Sequence, residues 1–342
     1  MKNPQLSLSP STSVTVIGGG KWGRIHAHNI FKATSNEDAD GIHPIAVTTG
    51  NDERRKAFSE AMNMTTHQAE FQDIIYNKPD EIPDEKIQKT DLFIVAVVPE
   101  AVEKVLLGED GASGLLSQSQ NKTFLIEKPI AATREAAEKI ISVANSYGHQ
   151  LIMTNQTRYA SLWLRLLDEV GDDFEAIESI VVKRKFKAPS DGPSTKYGGV
   201  AQNLGIHSLE ELHYALSKWG INPSEIKNQK GMQSDEAEGV HHTAQIDMSV
   251  RNVPVTVEVS QASEGRQDYT EIKMVNGDIF RFTEEDGGKK ILQKNDDKLV
   301  SASGENTVLL QLIDVFRHVD EVLLNDLDTP RIIPTKELEH QR

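Results

Sequence analysis

The chain has 342 residues, 37 Lys and Arg against 52 Asp and Glu, a formal net charge of −15, and no cysteine. The length suits about two domains of ~100–200 residues, and the acidic balance argues against nucleic acid as a main partner, because phosphate neutralisation needs clustered Lys and Arg. Disulfides, thiolate nucleophiles and thiolate metal ligands are excluded; with no apolar run near the ~18–20 residues of a membrane span and no apolar signal core in MKNPQLSLSPSTS, a cytoplasmic protein without a membrane partner is expected.

The first half alternates strands and helices. Val14–Ile17 is a short apolar strand, and a glycine run then opens a helix that reaches Phe31. After the turn-rich SNEDADG come the strand His43–Thr49, the helix DERRKAFSEAMN and the buried strand Asp91–Val98. EAVEKVLL is helical, and Thr123–Pro129 is a strand stopped by its proline. TREAAEKIISVANSYG has Thr133 as N-cap and Gly148 as its close, and HQLIMTN adds a further strand. This rhythm predicts a doubly wound, parallel α/β Rossmann domain over residues 1–150.

Residues 151–342 change character. After the helix SLWLRLLDEVG, the segments AQIDMSV and VPVTVEVSQ alternate: Ile246, Met248 and Val250, then Val253, Val255, Val257 and Val259, fall on one face, with Gln245, Asp247, Ser249, Thr256 and Glu258 on the other. Such alternation predicts an α+β domain with a large, mostly antiparallel sheet. Asn276–Gly277 is a hairpin signal, and Val308–Leu324 has helical spacing. The basic run VVKRKFK (Val181–Lys187) reads as a solvated strand face, with a patch facing a phosphate as the alternative. His241 and His242 point to opposite faces of a strand, and no carboxylate cluster has ligand spacing, so no metal is expected.

Gly18, Gly20 and Gly23 form G-x-G-x-x-G directly behind a strand and at the start of a helix, the context a dinucleotide site requires. Gly18 makes the tight turn, Gly20 admits the pyrophosphate and Gly23 lets the helix pack on the strand. The second strand ends in Thr48 and Thr49, where an NAD-preferring site usually carries a carboxylate for the ribose hydroxyls. Without it, a 2′-phosphate meets no repulsion, and Arg54 and Arg55 are near in sequence. NADP is favoured on this reading; NAD remains open if Asp52 turns back to the ribose.

FLIEKPIAATREAAEKI, with Glu127, Lys128 and Pro129, resembles the E-K-P strand end of the glucose–fructose oxidoreductase / inositol dehydrogenase (Gfo/Idh/MocA) superfamily. GGVAQNLGIHSLEELHYAL, Gly198–Leu216, is similar to that family's G-G-x-x-x-D-x-G-x-H-x-x-D helix, and the motifs stand in the family's order along almost the whole chain. The resemblance implies Lys128 as the active-site lysine, His207 as the histidine and Asn203 where an aspartate is commonest, with Glu210 at the acidic position that follows. It implies a cis Lys128–Pro129 bond, a pocket lined by Arg158, Tyr159, Lys196 and Tyr197, and a homodimer or homotetramer built on the open sheet face. The cofactor-binding set is then Gly18, Gly20, Lys21, Trp22, Gly23, Thr49, Pro99, Glu127 and Lys128. Two positions depart from the family: Asn203 cannot titrate, and Glu103 stands where many relatives have a histidine.

The residues make chemical sense apart from the resemblance. Hydride transfer to a carbonyl builds charge on oxygen, which a lysine stabilises and a histidine can protonate. The expected function is an NAD(P)-dependent oxidoreductase acting on a small polar carbonyl or alcohol such as a sugar or polyol. Alternatives on the same fold are a nucleotide-dependent glycosidase, a catalytically inactive NAD(P)-sensing regulator and a reductase of a C=N bond.

Overall fold

The computed structural model describes residues 12–34, 42–62, 74–109, 113–187, 200, 205–237, 240–285, 289–302, 307–308 and 311. The chain forms two compact units: one runs to Thr154 and takes in Val308, and the other starts at Asn155. Against an expected boundary after residue 150, the first unit keeps four more residues, because its last strand occupies Gln150–Met153.

The first unit is built from β1 (Thr12–Ile17), α1 (Lys21–Thr34), β2 (Ile42–Thr48), α2 (Asp52–Met62), β3 (Ile75–Tyr76), α3 (Asp84–Lys89), β4 (Leu92–Val95), α4 (Pro99–Leu107), β5 (Thr123–Ile126), α5 (Arg134–Ser146) and β6 (Gln150–Met153). Its six strands run in the order β3-β2-β1-β4-β5-β6, every neighbour parallel. This is the doubly wound order of a Rossmann sheet, which reverses direction between β1 and β4 and leaves a crevice outside the strands' carboxyl ends. β4 and β5 are buried at every residue, as parallel strands covered on both faces must be. Phe93 and Phe124 are register partners whose rings stack 4.7 Å apart, a cross-strand pair that locks β4 to β5. The Thr133 hydroxyl caps α5 by accepting from the Ala136 N–H (3.2 Å), and Gly148 follows the helix at φ +71°. The two-residue β3 has no counterpart in the sequence reading, since two residues carry no periodicity.

The second unit holds α6 (Ser161–Val170), β7 (Ile177–Lys187), α7 (Ile206–Lys218), β8 (Ile226–Ala237), β9 (Val240–Val250), β10 (Val253–Ser260), β11 (Ala262–Met274), β12 (Ile279–Glu284), β13 (Lys290–Lys294) and β14 (Asp297–Ala302). Its eight strands follow the order β14-β13-β12-β11-β7-β10-β9-β8. All neighbours are antiparallel except the β7–β10 pair. Val253, Val255, Val257 and Val259 lie in one core with Leu162, Trp163, Leu166 and Leu167 of α6 and Leu212, Ala215 and Leu216 of α7. The intervening Thr256 and Glu258 are half-buried on the opposite face. Of the helix expected over Gly198–Leu216, Ile206 onward is described as α7; the part that holds Asn203, with Lys196 and Tyr197 before it, lies outside the described residues.

Over its described side chains, residues 181–185, the basic run is not a solvated face. Arg184 is held by Glu211 and Asp268 and donates to the Ser208 hydroxyl (3.1 Å), while Lys183 and Lys185 both pair with Glu258. Burial opposes the guanidinium's charge, yet the two carboxylates hold its pKa above the ordinary value. These cations are committed to acids of their own unit, which also removes the phosphate-facing alternative for Arg184.

Candidate functional site

The turn after β1 is shaped by contacts that only glycine permits. Gly18 has φ +123°, and a Cβ there would overlap the Ala96 carbonyl oxygen. A Cβ on Gly23 would overlap the Gly18 carbonyl, so α1 seats on the turn only because both side chains are missing. The middle residue, Gly19, is equally constrained: its Cβ would stand 2.5 Å from the Thr49 Cα. Gly20 differs, for a Cβ there meets nothing within 4 Å. The protein's own packing therefore does not demand a glycine at position 20, whereas a pyrophosphate lying against the backbone does. Arg24 N–H bonds back to the Gly20 carbonyl (3.1 Å), so α1 opens at this residue. The first-turn amides of Lys21, Trp22 and Gly23 thus belong to a helix N-terminus, which favours anions. The residues present fit a dinucleotide.

Around the second strand the hydroxyls are engaged inside the protein. Thr48 Oγ1 accepts from the Gly18 N–H (3.1 Å), bracing the glycine turn. Thr49 is fully buried, and its hydroxyl is directed to the carbonyls of Tyr76 (3.3 Å) and Asn51 (3.4 Å). No carboxylate ends β2, and Asp52 in the first turn of α2 accepts from the Asn77 side-chain amide (2.8 Å). Arg54 lies along the same turn, its guanidinium 3.4 Å from where a Gly50 Cβ would stand. Pro99 is the first residue of α4, and Trp22 is partly exposed beside the Lys21 ammonium.

At the end of β5 the backbone continues in register: Glu127 N–H bonds to the Val95 carbonyl (2.8 Å) and Thr154 N–H to the Ile126 carbonyl (2.8 Å). The Lys128–Pro129 bond is cis, as the resemblance implies. The buried Glu127 carboxylate is gripped from two sides, by His26 Nε2 at 2.7 Å and by the Thr154 hydroxyl, which donates at 2.9 Å. The Thr154 oxygen in turn accepts from the Lys128 N–H (3.3 Å). Burial lowers the pKa of the Lys128 ammonium from its ordinary value, and the Glu127 charge opposes that fall. Glu103, the second departure from the family pattern, pairs with Lys139 across α4 and α5 (3.1 Å).

In the second unit Arg158 lies in a short 3-10 turn, Gln156–Tyr159, and donates to Glu210 of α7 (2.6 Å). Asn155 donates to the same carboxylate oxygen (3.2 Å), and the guanidinium lies over the Tyr214 ring at 5.8 Å. His207, Glu210 and Tyr214 are spaced three and four apart on α7 and share a face. His213, half-buried on the same helix, has its pKa lowered, first by burial and also by Arg158, against an opposing effect of Glu210. Arg158 and Glu210 are thus joined, while Tyr159 and His207 are placed on neighbouring elements of the unit. His26 and Thr154 are absent from the sequence-derived set, although they hold the residue next to Lys128. Among the described residues, no group of three or more His, Asp or Glu could hold a metal ion, and no helix is long and apolar enough to cross a membrane.

Residues 12–155 match the family described as "Oxidoreductase family, NAD-binding Rossmann fold", GFO_IDH_MocA. An inositol 2-dehydrogenase/D-chiro-inositol 3-dehydrogenase of Halalkalibacterium halodurans is 26% identical over 206 residues, 59% of this chain; the match spans about half (51%) of that relative's length. Among solved structures, a UDP-N-acetylglucosamine 3-dehydrogenase from Acidithiobacillus ferrooxidans superposes with TM-score 0.62 at 16% identity, covering 91% of this chain and 89% of the other. KijD10, a 3-ketoreductase from Actinomadura kijaniata in complex with TDP-benzene and NADP, superposes with TM-score 0.64 at 14% identity, covering 94% and 92%. At such identities the superpositions speak for the fold, and the family match speaks for the nucleotide-binding half. What the comparisons establish is a match of residues 12–155 to the NAD-binding Rossmann domain of the Gfo/Idh/MocA oxidoreductase family.

Proposed function

We propose that the chain is an NADP(H)-preferring oxidoreductase acting on a small polar carbonyl or alcohol, of the sugar or polyol class. The observation that carries the reading is the pairing of an open Gly20 turn behind β1 with Lys128 just beyond the carboxyl end of β5, both on the edge where such sheets bind ligands. When bound, the nicotinamide supplies or accepts the hydride. Lys128 presents its ammonium to the charge that develops on the substrate oxygen, and His207 carries the proton. Asn203 orients without titrating, and Arg158, Tyr159 and Tyr197 contact the substrate, with Glu210 fixing the Arg158 guanidinium. The preference for NADP rests on the absence of a carboxylate at the end of β2 and on Arg54 in the first turn of α2; Thr49 shapes the strand end, its hydroxyl directed to carbonyls and its N–H donated to the Tyr76 carbonyl. The named relatives are described as dehydrogenases of an inositol and a sugar nucleotide and as a 3-ketoreductase, which supports ring hydroxyls and ring ketones as the substrate class.

The test follows nicotinamide absorbance with NADPH and NADH against a panel of inososes, ketoses and keto-sugar nucleotides. Net turnover that is faster with NADPH is expected, and Lys128→Met should lower kcat by ~10²-fold while cofactor affinity changes far less. Burst oxidation without net turnover across the panel would overturn the oxidoreductase reading, and equal use of NADH would overturn the NADP preference.

A further inference from the structure

The knot behind Lys128 joins elements distant in sequence. His26 comes from α1, the helix whose N-terminus forms the glycine turn; Glu127 and Lys128 follow β5; Thr154 follows β6. The hydrogen-bond directions are largely fixed. Lys128 N–H donates to the Thr154 oxygen, so the Thr154 hydrogen is available for Glu127 Oε2, leaving Oε1 for His26 Nε2. His26 Nδ1 is buried and has no hydrogen-bond partner among the described residues. An Nδ1–H would be an unmet buried donor, whereas an imidazole protonated on Nε2 alone leaves only a lone pair unmet. His26 is therefore a donor to Glu127, and the carboxylate accepts from two side chains at once.

We propose that His26 and Thr154 are positioning residues that clamp the Glu127 carboxylate in a single orientation, and that this clamped charge is the counter-ion of the Lys128 ammonium. A buried carboxylate costs desolvation unless hydrogen bonds meet it, and burial lowers the pKa of the Lys128 ammonium while the Glu127 charge opposes that fall. The titratable groups of the knot are His26 on α1 and Glu127 and Lys128 after β5; the segment after β6 contributes the Thr154 hydroxyl. The same clamp ties the helix of the glycine turn to the strand end that carries the lysine. Its consequence for catalysis rests on the function proposed above, but its test does not require turnover.

The full chain is labelled with trace acetic anhydride across a pH series, and each lysine is quantified by mass spectrometry. The plateau of the Lys128 curve reports access to the amine, and the midpoint reports its protonation. In Glu127→Gln the Lys128 midpoint should fall by at least about one pH unit, a tenfold change in the protonation equilibrium, while Lys122 and Lys139 keep theirs. Thr154→Val and His26→Leu should move it the same way by less, and Thr154→Ser should restore it. A shifted plateau with an unmoved midpoint would reduce the knot to packing and overturn the proposal. Should Glu127→Gln lose its circular dichroism signal, Thr154→Val against Thr154→Ser decides the matter by the same midpoint. A normal midpoint shift in a chain that turns over no substrate would support the clamp and count against the oxidoreductase reading alone.

Discussion

Alanine at Gly20 is expected to make the protein more stable and a poorer nucleotide binder. Gly20 has no positive φ, and a Cβ added there would meet no atom within 4 Å, so alanine fits without strain. Replacing glycine at such a position stabilises by about 0.4–1 kcal/mol, because the unfolded chain loses freedom it would otherwise keep. For a unit of this size that raises the melting temperature by about 1–4 °C. The same methyl group stands where a pyrophosphate must approach the backbone, and each hydrogen bond to a charged group lost there is worth ~1.5–3 kcal/mol. The dissociation constant for NADPH should therefore rise by about 10–150-fold. Gly19→Ala provides the contrast, since its Cβ would stand 2.5 Å from the Thr49 backbone; such overpacking costs about 1–3 kcal/mol and lowers the melting temperature. Thermal melts without ligand and fluorescence titrations with NADPH give both numbers. A Gly20→Ala protein that binds NADPH as tightly as the parent would refute the assignment of this turn to the pyrophosphate.

Arg54→Gln should narrow the preference for NADPH over NADH, since it removes a cation beside the β2–α2 turn; comparative titration of both cofactors checks this, and an unchanged ratio rejects it. His149 is buried with Nδ1 accepting from the Lys122 N–H (3.1 Å) and Nε2 against the Leu116 carbonyl (2.8 Å), an arrangement filled by the neutral ring, and burial lowers its pKa. The unfolded state then binds the extra proton more tightly, so stability present above the unfolded value near 6.5 is lost as pH falls through the folded value; urea titrations over that range should show the loss, and His149→Gln should flatten it. Light scattering at micromolar concentration should report at least a dimer, joined through a polar sheet face on which Thr256 and Gln245 both donate to Asp247 (2.9 Å); a monomer mass would mean that face is solvated.

The architecture was readable where burial leaves a mark on sequence. β4 and β5 are continuous apolar runs because both faces are covered, and β9 and β10 alternate because one face is not. Strand ends were less legible. Asp91–Val98 reads as one strand, yet β4 ends at Val95, since Val98 already stands at the N-cap of α4 with Pro99 beginning the helix. The two threonines at the end of β2 stand, in the sequence, where a ribose-binding carboxylate usually sits, but their hydroxyls answer needs of the fold itself: the Gly18 amide and the Tyr76 carbonyl.

Arg184, which the sequence reading put on a solvated face, and His26, which it did not single out, share one physical signature. Arg184 sits at the parity of Ile180 and Val182 on β7, and both of those side chains are in the core. His26 falls with Gly23, Ala27 and Ile30 on the stripe of α1 that faces the sheet, where Ala27 and Ile30 are fully buried. A polar side chain on an apolar face must find a partner or cost the fold more than a hydrogen bond. Periodicity could therefore have marked both residues as buried and paired. What it could not supply is the partner: Glu211 and Asp268 come from α7 and β11, and Glu127 lies 101 residues beyond His26. Glu127 nevertheless carried its own signal, an acid directly behind the buried run Thr123–Ile126 and directly before the lysine. A carboxylate placed there costs desolvation unless it serves a neighbouring charge. Its position beside Lys128 thus already contained the question that His26 and Thr154 answer.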